Sequence, residues 1–323
     1  GDVYKRQAMD GTQPTPGSAR HDVDVDAPWR RTAAAAGLLG DTGPVPTVFE
    51  TMTGLAVEHG AVNLGQGFPD ADGPDALLRL AADAVLAGPN QYAPGTGDPA
   101  LRQAVAEHRR RHWGVTEDPA TQVMITTGAT EGIAATVLAF VRPGDEVVTV
   151  EPFYDSHAAT IALAGARHVS VPVEAPDFLP DPARVAAAMT DRTRLLIVNT
   201  PHNPTGAVYP RELLEELVAL CRSRGVLILS DEVYDHLVYE GEHVSLRSVA
   251  GAEDIALTVS SAGKAFAVTG WKVGWLTGPA ELVGAARAVK QFLTYSSGPA
   301  FQRALGAYLP TEDLSLIHIS EPT

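Results

Sequence analysis

Lys264 and Lys272 stand eight positions apart in SSAGKAFAVTGWKVGW, residues 260–275. The small neighbours Ser261 and Gly263 leave room beside Lys264. A lysine that is desolvated near another cation loses part of its proton affinity, and its neutral amine can then form a Schiff base with a carbonyl compound. Because a lysine in a loop is more commonly a solvated surface group, this stretch by itself leaves both interpretations open.

A candidate anion site lies in TTGATEG, residues 126–132, where a glycine turn leads straight into a predicted helix. The first amides of a helix have no internal partner and carry the positive end of its dipole. Gly128, Ala129 and Thr130 could therefore hold a phosphate. In the alternative interpretation, Thr130 caps the helix and Glu131 sits in its first turn.

Two further strand ends carry polar groups. Asp231 ends the apolar run VLILSD, where a carboxylate is costly to bury unless it meets a cation or a protonated nitrogen. Tyr234 follows one helical turn later and could share its face, although Asp231 could instead cap a helix. Asn203 of NTPHNPTG could point its amide into a cleft through a cis bond to Pro204, or it could belong to a simple turn.

Together these groups suit one small molecule. A phosphate site, an acid for a pyridinium proton, a tyrosine and an asparagine for a phenolic oxygen, and a lysine for an aldehyde predict pyridoxal 5′-phosphate (PLP) as the cofactor.

The elements that must position these groups alternate along the chain. Apolar β-type runs predict seven strands: QVMIT, EVVTV, HVSVPV, RLLIVN, VLILSD, IALTVS and KVGWLT. Amphipathic runs predict helices at Asp75–Leu86, Pro99–Arg111, Glu131–Phe140, His157–Ala164 and Arg211–Arg222. Strands joined through helices indicate an α/β fold with three αβα layers around a mostly parallel seven-stranded sheet. Ligands bind such sheets at the carboxyl ends of the strands, where the polar groups above lie.

Composition narrows the class of protein. The 323 residues are 45% hydrophobic and 20% charged, as in soluble globular proteins, and the net charge of −15 argues against nucleic acid or an anionic membrane as a partner. The single Cys221 excludes an internal disulfide and lies in an apolar helical run, so we expect a core thiol. With no signal peptide and no membrane-length apolar run, the sequence predicts a cytoplasmic protein.

Both ends of the chain differ in character from the middle. Residues 1–45 predict a disordered arm rich in Gly, Pro, Ala and Asp. GDVYKRQ (1–7) and LSLIHISEPT (314–323) resemble translated sequencing-adapter sequence, so we expect natural sequence from about residue 8 to about residue 313. A genuine frayed terminus is the alternative.

Six segments match a known family in order and spacing: NLGQGFPD, NQY, EPFYD, NTPHNPTG, SDEVYDHLVY and SAGKAFAVTGWKVGW. Through them, residues 46 to about 313 resemble the fold type I aminotransferases of class I/II. They are most similar to the subgroup of kynurenine, glutamine, methionine and actinobacterial succinyldiaminopimelate aminotransferases. The resemblance implies PLP-dependent transfer of an amino group from an amino acid to a 2-oxo acid, in two half-reactions through pyridoxamine phosphate.

The resemblance also implies residue roles. Lys264 would be the Schiff-base lysine and the base that moves the substrate's Cα proton, and Asp231 would hold the ring nitrogen protonated. Tyr234 and Asn203 would bind the phenolic oxygen, and Tyr154 would stack on the ring. The phosphate would be held by Gly128, Ala129, Thr130, Ser261 and Lys272.

Further implied positions concern the substrate and a second subunit. Phe49, Gly67 and Asn203 would lie beside the substrate. In the family a tyrosine at the position of Tyr92 reaches the neighbouring subunit's phosphate, and the loop that contains Tyr295 enters the partner's site. We therefore expect a homodimer with shared active sites.

The family's domain plan implies a small-domain segment at 46–75, a large PLP-binding domain at 76–295 and the start of a second small-domain segment at 296–313. The family binds the substrate's α-carboxylate with an arginine in its C-terminal segment, and no residue after Arg303 can supply it. We therefore expect a truncated fragment with an incomplete small domain and reduced activity.

Three other functions stay open at this stage. The same cofactor could drive β-elimination from cysteine conjugates or cystathionine. A non-catalytic sensor, fused to a DNA-binding module in other proteins, would need a basic N-terminal domain that residues 8–45 do not resemble. A nucleotide-binding Rossmann enzyme would need a G-x-G-x-x-G motif after its first strand, and none is present. The identity of the amino donor is not determined by the sequence.

Overall fold

The computed structural model describes residues 27–311 except 42, 64 and 66–71. Its strands are β1 (Leu39–Gly40), β2 (Gly43–Pro44), β3 (Val123–Thr127), β4 (Glu146–Glu151), β5 (Arg167–Pro172), β6 (Thr193–Asn199), β7 (Leu227–Asp231), β8 (Ala256–Ser261) and β9 (Val273–Thr277). Its helices are α1 (Pro28–Ala35), α2 (Val48–His59), α3 (Asp75–Ala87), α4 (Pro99–Trp113), α5 (Gly128–Phe140), α6 (Asp155–Leu163), α7 (Pro182–Ala188), α8 (Arg211–Arg224), α9 (Ala262–Ala265), α10 (Ala280–Lys290) and α11 (Pro299–Tyr308).

The main sheet has seven strands in the order β3-β9-β8-β7-β6-β4-β5. Every pairing among β8, β7, β6, β4 and β5 is parallel, whereas β9 runs antiparallel to both of its neighbours, β3 and β8. All seven predicted strands are present, and the mostly parallel α/β class is confirmed.

Alternation of side chains along the strands explains the layers. In β6, Leu195 and Ile197 point into a core shared with α5, α6 and α10, while Leu196 and Val198 point into a core shared with α7 and α8. Towards the other edge of the sheet, Trp275 of β9 packs with α3, α4 and α11. Because both faces are covered, the inner strands read as continuous apolar runs, as parallel strands do.

Part of the predicted disordered arm is ordered. Pro28 starts the alanine-rich α1, and Arg31 Nε donates to the Ala162 carbonyl at 3.0 Å, which fastens this helix to α6. The expectation of disorder therefore does not hold for the helix and for the β1–β2 hairpin that follows it. Proline at the first turn and three alanines favour the helix locally, and the contact with α6 stabilises it.

The last described helix, α11, shares its core with α3 and α4. Arg303 donates to the carbonyls of Ala84 at 2.9 Å and Pro89 at 3.1 Å, next to the end of α3. The described residues of α11 thus pack against two helices of the predicted large domain, and the boundary at 295 stays a prediction. Of the helices in the described residues, none is long and apolar enough to cross a membrane.

Cys221 provides a test of the core. Its side chain is fully buried on α8, and burial raises the pKa of the thiol to about 12. Since the thiolate is the reactive form, we expect a disulfide reagent to label native protein at pH 8 far more slowly than urea-unfolded protein, with one thiol released per chain. Equal labelling rates in the two states, followed by absorbance, would show that α8 does not pack as described.

Candidate active site

The polar strand ends meet along one edge of the sheet. The backbone register pairs Asn199 with Asp231, at the ends of β6 and β7, and pairs Ser261 at the end of β8 with Gly274. Thr127 at the end of β3 pairs with Val273. Because β9 is antiparallel to β3 and β8, it begins at the edge of the sheet where those strands end. Lys272, the residue just before β9, therefore lies at that edge too.

The predicted phosphate site forms the first turn of α5. Gly128 begins the helix with φ of 69°, a backbone conformation that favours glycine, and its Thr127 N-cap makes no side-chain capping bond. Glu131 Oε2 instead accepts from the Thr127 amide at 2.6 Å. Thr130 therefore lies inside the first turn, and the alternative in which it caps the helix is wrong.

Lys272 places a cation beside this helix start. A Cβ on Gly128 would lie 3.1 Å from the Lys272 Nζ. Lys272 itself has φ of 52°, a left-handed conformation that side-chain-bearing residues adopt rarely. The ammonium and the positive end of the helix together attract an anion of the size of a phosphate.

Asp231 is held by two neighbours that sequence reasoning did not assign to the site. His157 Nε2 lies 3.0 Å from Asp231 Oδ2, and Asn199 Nδ2 donates to the Asp231 carbonyl at 2.9 Å. Asp231 Oδ1 accepts from the Val233 amide at 3.3 Å within a turn rather than at a helix start. One feature of the sequence could have pointed to His157. It lies in the first helical turn after EPFY, a segment that begins at the end of β4 at this same edge of the sheet.

Lys264 lies on the four-residue helix α9 rather than in an irregular loop. Ser261 Oγ accepts from the Gly263 amide at 3.2 Å and so caps that helix. Burial, together with the positive charge of Lys272, lowers the pKa of the Lys264 amine, while Asp231 acts in the opposite direction. The Lys264 Nζ lies 5.5 Å from the centre of the Tyr234 ring.

Two phenols and an amide complete the rim. Burial and the carboxylate of Asp231 raise the pKa of Tyr234, so its hydroxyl keeps its proton and can donate. Burial and nearby carboxylates likewise raise the pKa of Tyr154. The Asn203–Pro204 peptide is cis, and the backbone N–H of Asn203 donates to Asn199 Oδ1 at 2.7 Å.

These groups enclose a cavity of about 400 Å³. Its lining includes the following predicted residues: Phe49, Gly128, Ala129, Thr130, Tyr154, Asn203, Asp231, Tyr234, Ser261, Lys264 and Lys272. Asn199, Thr269 and Ile133 line it without having been predicted. A second cavity of about 620 Å³ adjoins it and shares Asn203 and Tyr234.

Two of the remaining predicted residues lie outside this cavity. Tyr92 and Tyr295 do not line this cavity and instead contact each other, with ring centres 5.4 Å apart. Tyr92 is 83% exposed. Gly67 lies outside the described residues.

The donor set fits PLP. A helix start whose first residue, Gly128, carries no side chain and is flanked by an ammonium matches a phosphate, and a Cβ on Gly128 would lie 3.1 Å from the Lys272 Nζ. A buried carboxylate suits a protonated ring nitrogen, two hydrogen-bond donors suit a phenolic oxygen, and a lysine of lowered pKa suits an aldehyde. The fold and this site together define a lysine-centred, phosphate-binding α/β protein of the PLP-dependent class.

Comparison with known proteins agrees with that class. The family model "Aminotransferase class I and II" matches residues 60–320. A probable N-succinyldiaminopimelate aminotransferase of Mycobacterium tuberculosis is 50% identical over 271 residues, which make up 83% of this chain and 68% of the relative. The methionine aminotransferase of Escherichia coli K12 is 41% identical over 267 residues, 82% of this chain and 69% of the relative.

Solved structures give the same result. The N-succinyldiaminopimelate aminotransferase structure from Mycobacterium tuberculosis superposes with a TM-score of 0.82 at 48% identity, over 84% of this chain and 72% of that one. The chain belongs to the class I and II aminotransferase family. Enzymes of this family are PLP-dependent transaminases, which confirms the predicted cofactor and reaction class.

Gly274 allows β9 to approach the helix start. A Cβ at this position would lie 2.7 Å from the Ala129 amide nitrogen and 2.8 Å from the Ser260 carbonyl oxygen, both backbone atoms that cannot move aside. We expect Gly274→Ala to displace the start of α5 and weaken PLP binding by about tenfold or more, about 1.4 kcal/mol. The measurement is a titration of PLP followed by absorbance.

Gly284→Ala is the matched control, because nothing lies within 4 Å of a Cβ there and alanine favours the helix α10. Unchanged PLP affinity in both variants would contradict the assignment of this helix start to the phosphate.

The lowered pKa of Lys264 predicts a pH dependence. A lysine whose folded pKa is lowered gives up its proton at lower pH, so its amine reacts with a trace of acetic anhydride at lower pH than an ordinary lysine does. Lys272→Met removes a like charge and is expected to shift the labelling midpoint to higher pH. Asp231→Asn removes an opposite charge and is expected to shift it to lower pH.

Mass spectrometry of the peptide that contains Lys264 reports the extent of labelling at each pH. Shifts of the same sign in the two variants would show that these charges do not act on the Lys264 amine as the geometry indicates.

Proposed function

We propose that the cavity around Lys264 is the active site of a PLP-dependent aminotransferase, which passes an amino group from an amino acid to a 2-oxo acid in two half-reactions. One observation carries this proposal. The Lys264 amine, the Asp231 carboxylate and the start of α5 line a single cavity, and these groups suit the aldehyde, the ring nitrogen and the phosphate of PLP, respectively.

Lys264 would attach the cofactor and then move the substrate's proton. Its lowered pKa raises the share of neutral amine at Nζ above that of an ordinary lysine, and such an amine can take a proton from the substrate Cα. Bound PLP supplies the electron-withdrawing ring that stabilises negative charge at that carbon.

The other residues would hold and orient the ligand. Asp231, kept in place by His157 Nε2, would keep a proton on the ring nitrogen, and the hydroxyl of Tyr234 with the amide of Asn203 would hold the phenolic oxygen. Tyr154 would cover the ring face, and Phe49 would lie beside the substrate. The amides of Gly128, Ala129 and Thr130, with Ser261 and Lys272, would hold the phosphate.

We also propose a homodimer that works in the cytoplasm and shares its active sites. Tyr92 lies outside the cavity of its own chain, and exposed apolar side chains, Leu86 at 86% and Phe292 at 89% exposure, support a covered surface in the assembly. Tyr92 would reach the partner's phosphate, and Tyr295 would reach the partner's substrate.

The donor with the strongest support is N-succinyldiaminopimelate, because the 50% identical relative carries that name. Methionine is the second, from the 41% identical relative. The cations that line the cavity within the described residues are Lys264 and Lys272. Both of these lysines are assigned to the cofactor. A cation that binds the distal carboxylate of such a donor would therefore come from outside the described lining.

We expect PLP to become fixed to the wild-type chain on borohydride reduction and not to Lys264→Ala, since reduction needs a Schiff base at that amine. Lys272→Met is the matched lysine control and should still fix PLP, although with lower affinity. Mass spectrometry identifies the modified peptide. Equal fixation in wild type and Lys264→Ala would refute the assignment.

The reaction itself is tested by offering each donor with 2-oxoglutarate or pyruvate and measuring the new amino acid. Release of pyruvate and ammonia from cystathionine without any acceptor, in place of transfer, would favour β-elimination over the proposed function.

A further inference from the structure

Lys290 is a buried lysine outside the cavity. Its side chain is 2% exposed at the end of α10. Its Nζ donates to the Tyr295 carbonyl at 2.6 Å and to the Gly95 carbonyl at 3.1 Å. A single ammonium therefore joins the loop that contains Tyr295 to the segment that contains Tyr92.

The partners of Lys290 indicate what it does. Burial lowers the pKa of Lys290, while Glu131 acts in the opposite direction. A buried ammonium is costly unless its donors are matched, and here they are matched by two backbone carbonyls. The carbonyls are uncharged, so they do not neutralise the ammonium as a carboxylate would. They belong to two different loops, so the contact determines where these loops lie relative to each other.

The backbone of Tyr295 needs such a contact. Its φ is 62°, in the left-handed region that a tyrosine rarely adopts, and its own carbonyl is the group that Lys290 holds. Gly95 approaches the same loop closely, since a Cβ there would lie 3.2 Å from Gln291 Oε1 and 3.5 Å from Tyr295 Cε2.

The two tyrosines form one unit. Their rings meet edge to face, with centres 5.4 Å apart and an angle of 78° between the planes. Both are exposed, Tyr92 at 83% and Tyr295 at 37%, so the unit faces away from the core of its own chain.

The same loop is joined to the phosphate-binding helix. The Thr294 hydroxyl donates to Glu131 Oε1, while Glu131 Oε2 accepts from the Thr127 amide at 2.6 Å. Lys290 and Glu131 thus fix the loop at two points, one beside Tyr92 and one at the start of α5.

We propose that Lys290 is the positioning residue of the Tyr92–Tyr295 unit, which one protomer presents to the active site of its partner. The inference rests on the proposed homodimer, in which Tyr92 reaches the partner's phosphate. Lys290 does not line the cavity of its own chain, and it acts by holding both tyrosine-bearing segments in one arrangement.

A double-mutant cycle on cofactor binding tests this proposal. Wild type, Lys290→Met, Tyr92→Phe and the double variant are titrated with PLP and, separately, with pyridoxal, which lacks the phosphate. Tyr92→Phe removes a hydrogen bond to a charged group and is expected to weaken PLP binding about tenfold, about 1.4 kcal/mol. Lys290→Met should weaken it by several-fold, and the double variant little further, because both changes remove one contact. Pyridoxal affinity should be unchanged throughout.

Additive losses in the double variant would overturn the proposal, and so would equal losses for PLP and pyridoxal. If Lys290→Met does not fold, as judged by rapid labelling of Cys221, Tyr295→Ala replaces it. That variant removes only the exposed ring and is expected to give the same non-additivity with Tyr92→Phe.

Two further outcomes separate this inference from the proposed function. A wild-type chain that binds PLP but sediments as a monomer would overturn the positioning role while leaving the cofactor assignment intact. A wild-type chain that fixes no PLP on Lys264 would overturn the proposed function and this inference with it.

Discussion

The site depends on the antiparallel insertion of β9 between β3 and β8. Since β9 runs against its neighbours, Lys272 at its beginning reaches the edge where the other strands end. The close packing of Gly274 against the start of α5 then brings that cation beside Gly128. Reversing this strand would carry Lys272 to the opposite edge, and the helix start would lose its ammonium. The phosphate-binding geometry is therefore a consequence of sheet topology.

A second constraint lies behind the cofactor-facing residues. Asp231 and Tyr234 line the cavity, while the intervening Glu232 and the following Asp235 are buried on the far side of the same turn. The Glu232 carboxylate accepts from the Leu246 amide at 2.9 Å and lies 3.7 Å from the Arg109 guanidinium. A buried charge without such partners would be strongly destabilising, so this network limits where the turn can lie and hence where Asp231 and Tyr234 point.

Sequence periodicity was sufficient for the main elements because both sheet faces are covered, which makes each strand a short apolar run between helices. It was less informative where tertiary contacts decide. The first turn of α5 is stabilised by Glu131 on Thr127 rather than by a Thr130 cap, and α1 is held by Arg31 on Ala162. His157 escaped notice because its place after EPFY indicates only the edge of the sheet that it reaches, and its contact with Asp231 joins residues 74 positions apart.

What the sequence determined by itself was the set of chemical groups: a lysine among small residues, an acid at a strand end, a glycine turn before a helix, and a spacing of motifs that matches one family. Each of those features involves residues that are neighbours in the chain, so the order of residues is enough to recognise it. Only the tertiary structure decided which groups share a cavity. It placed Lys264, Asp231 and Gly128 together, lowered the pKa of Lys264 through burial and the charge of Lys272, and set Tyr92 against Tyr295 outside that cavity. Distances and desolvation belong to the packed sheet, because they arise between residues that are far apart in the chain.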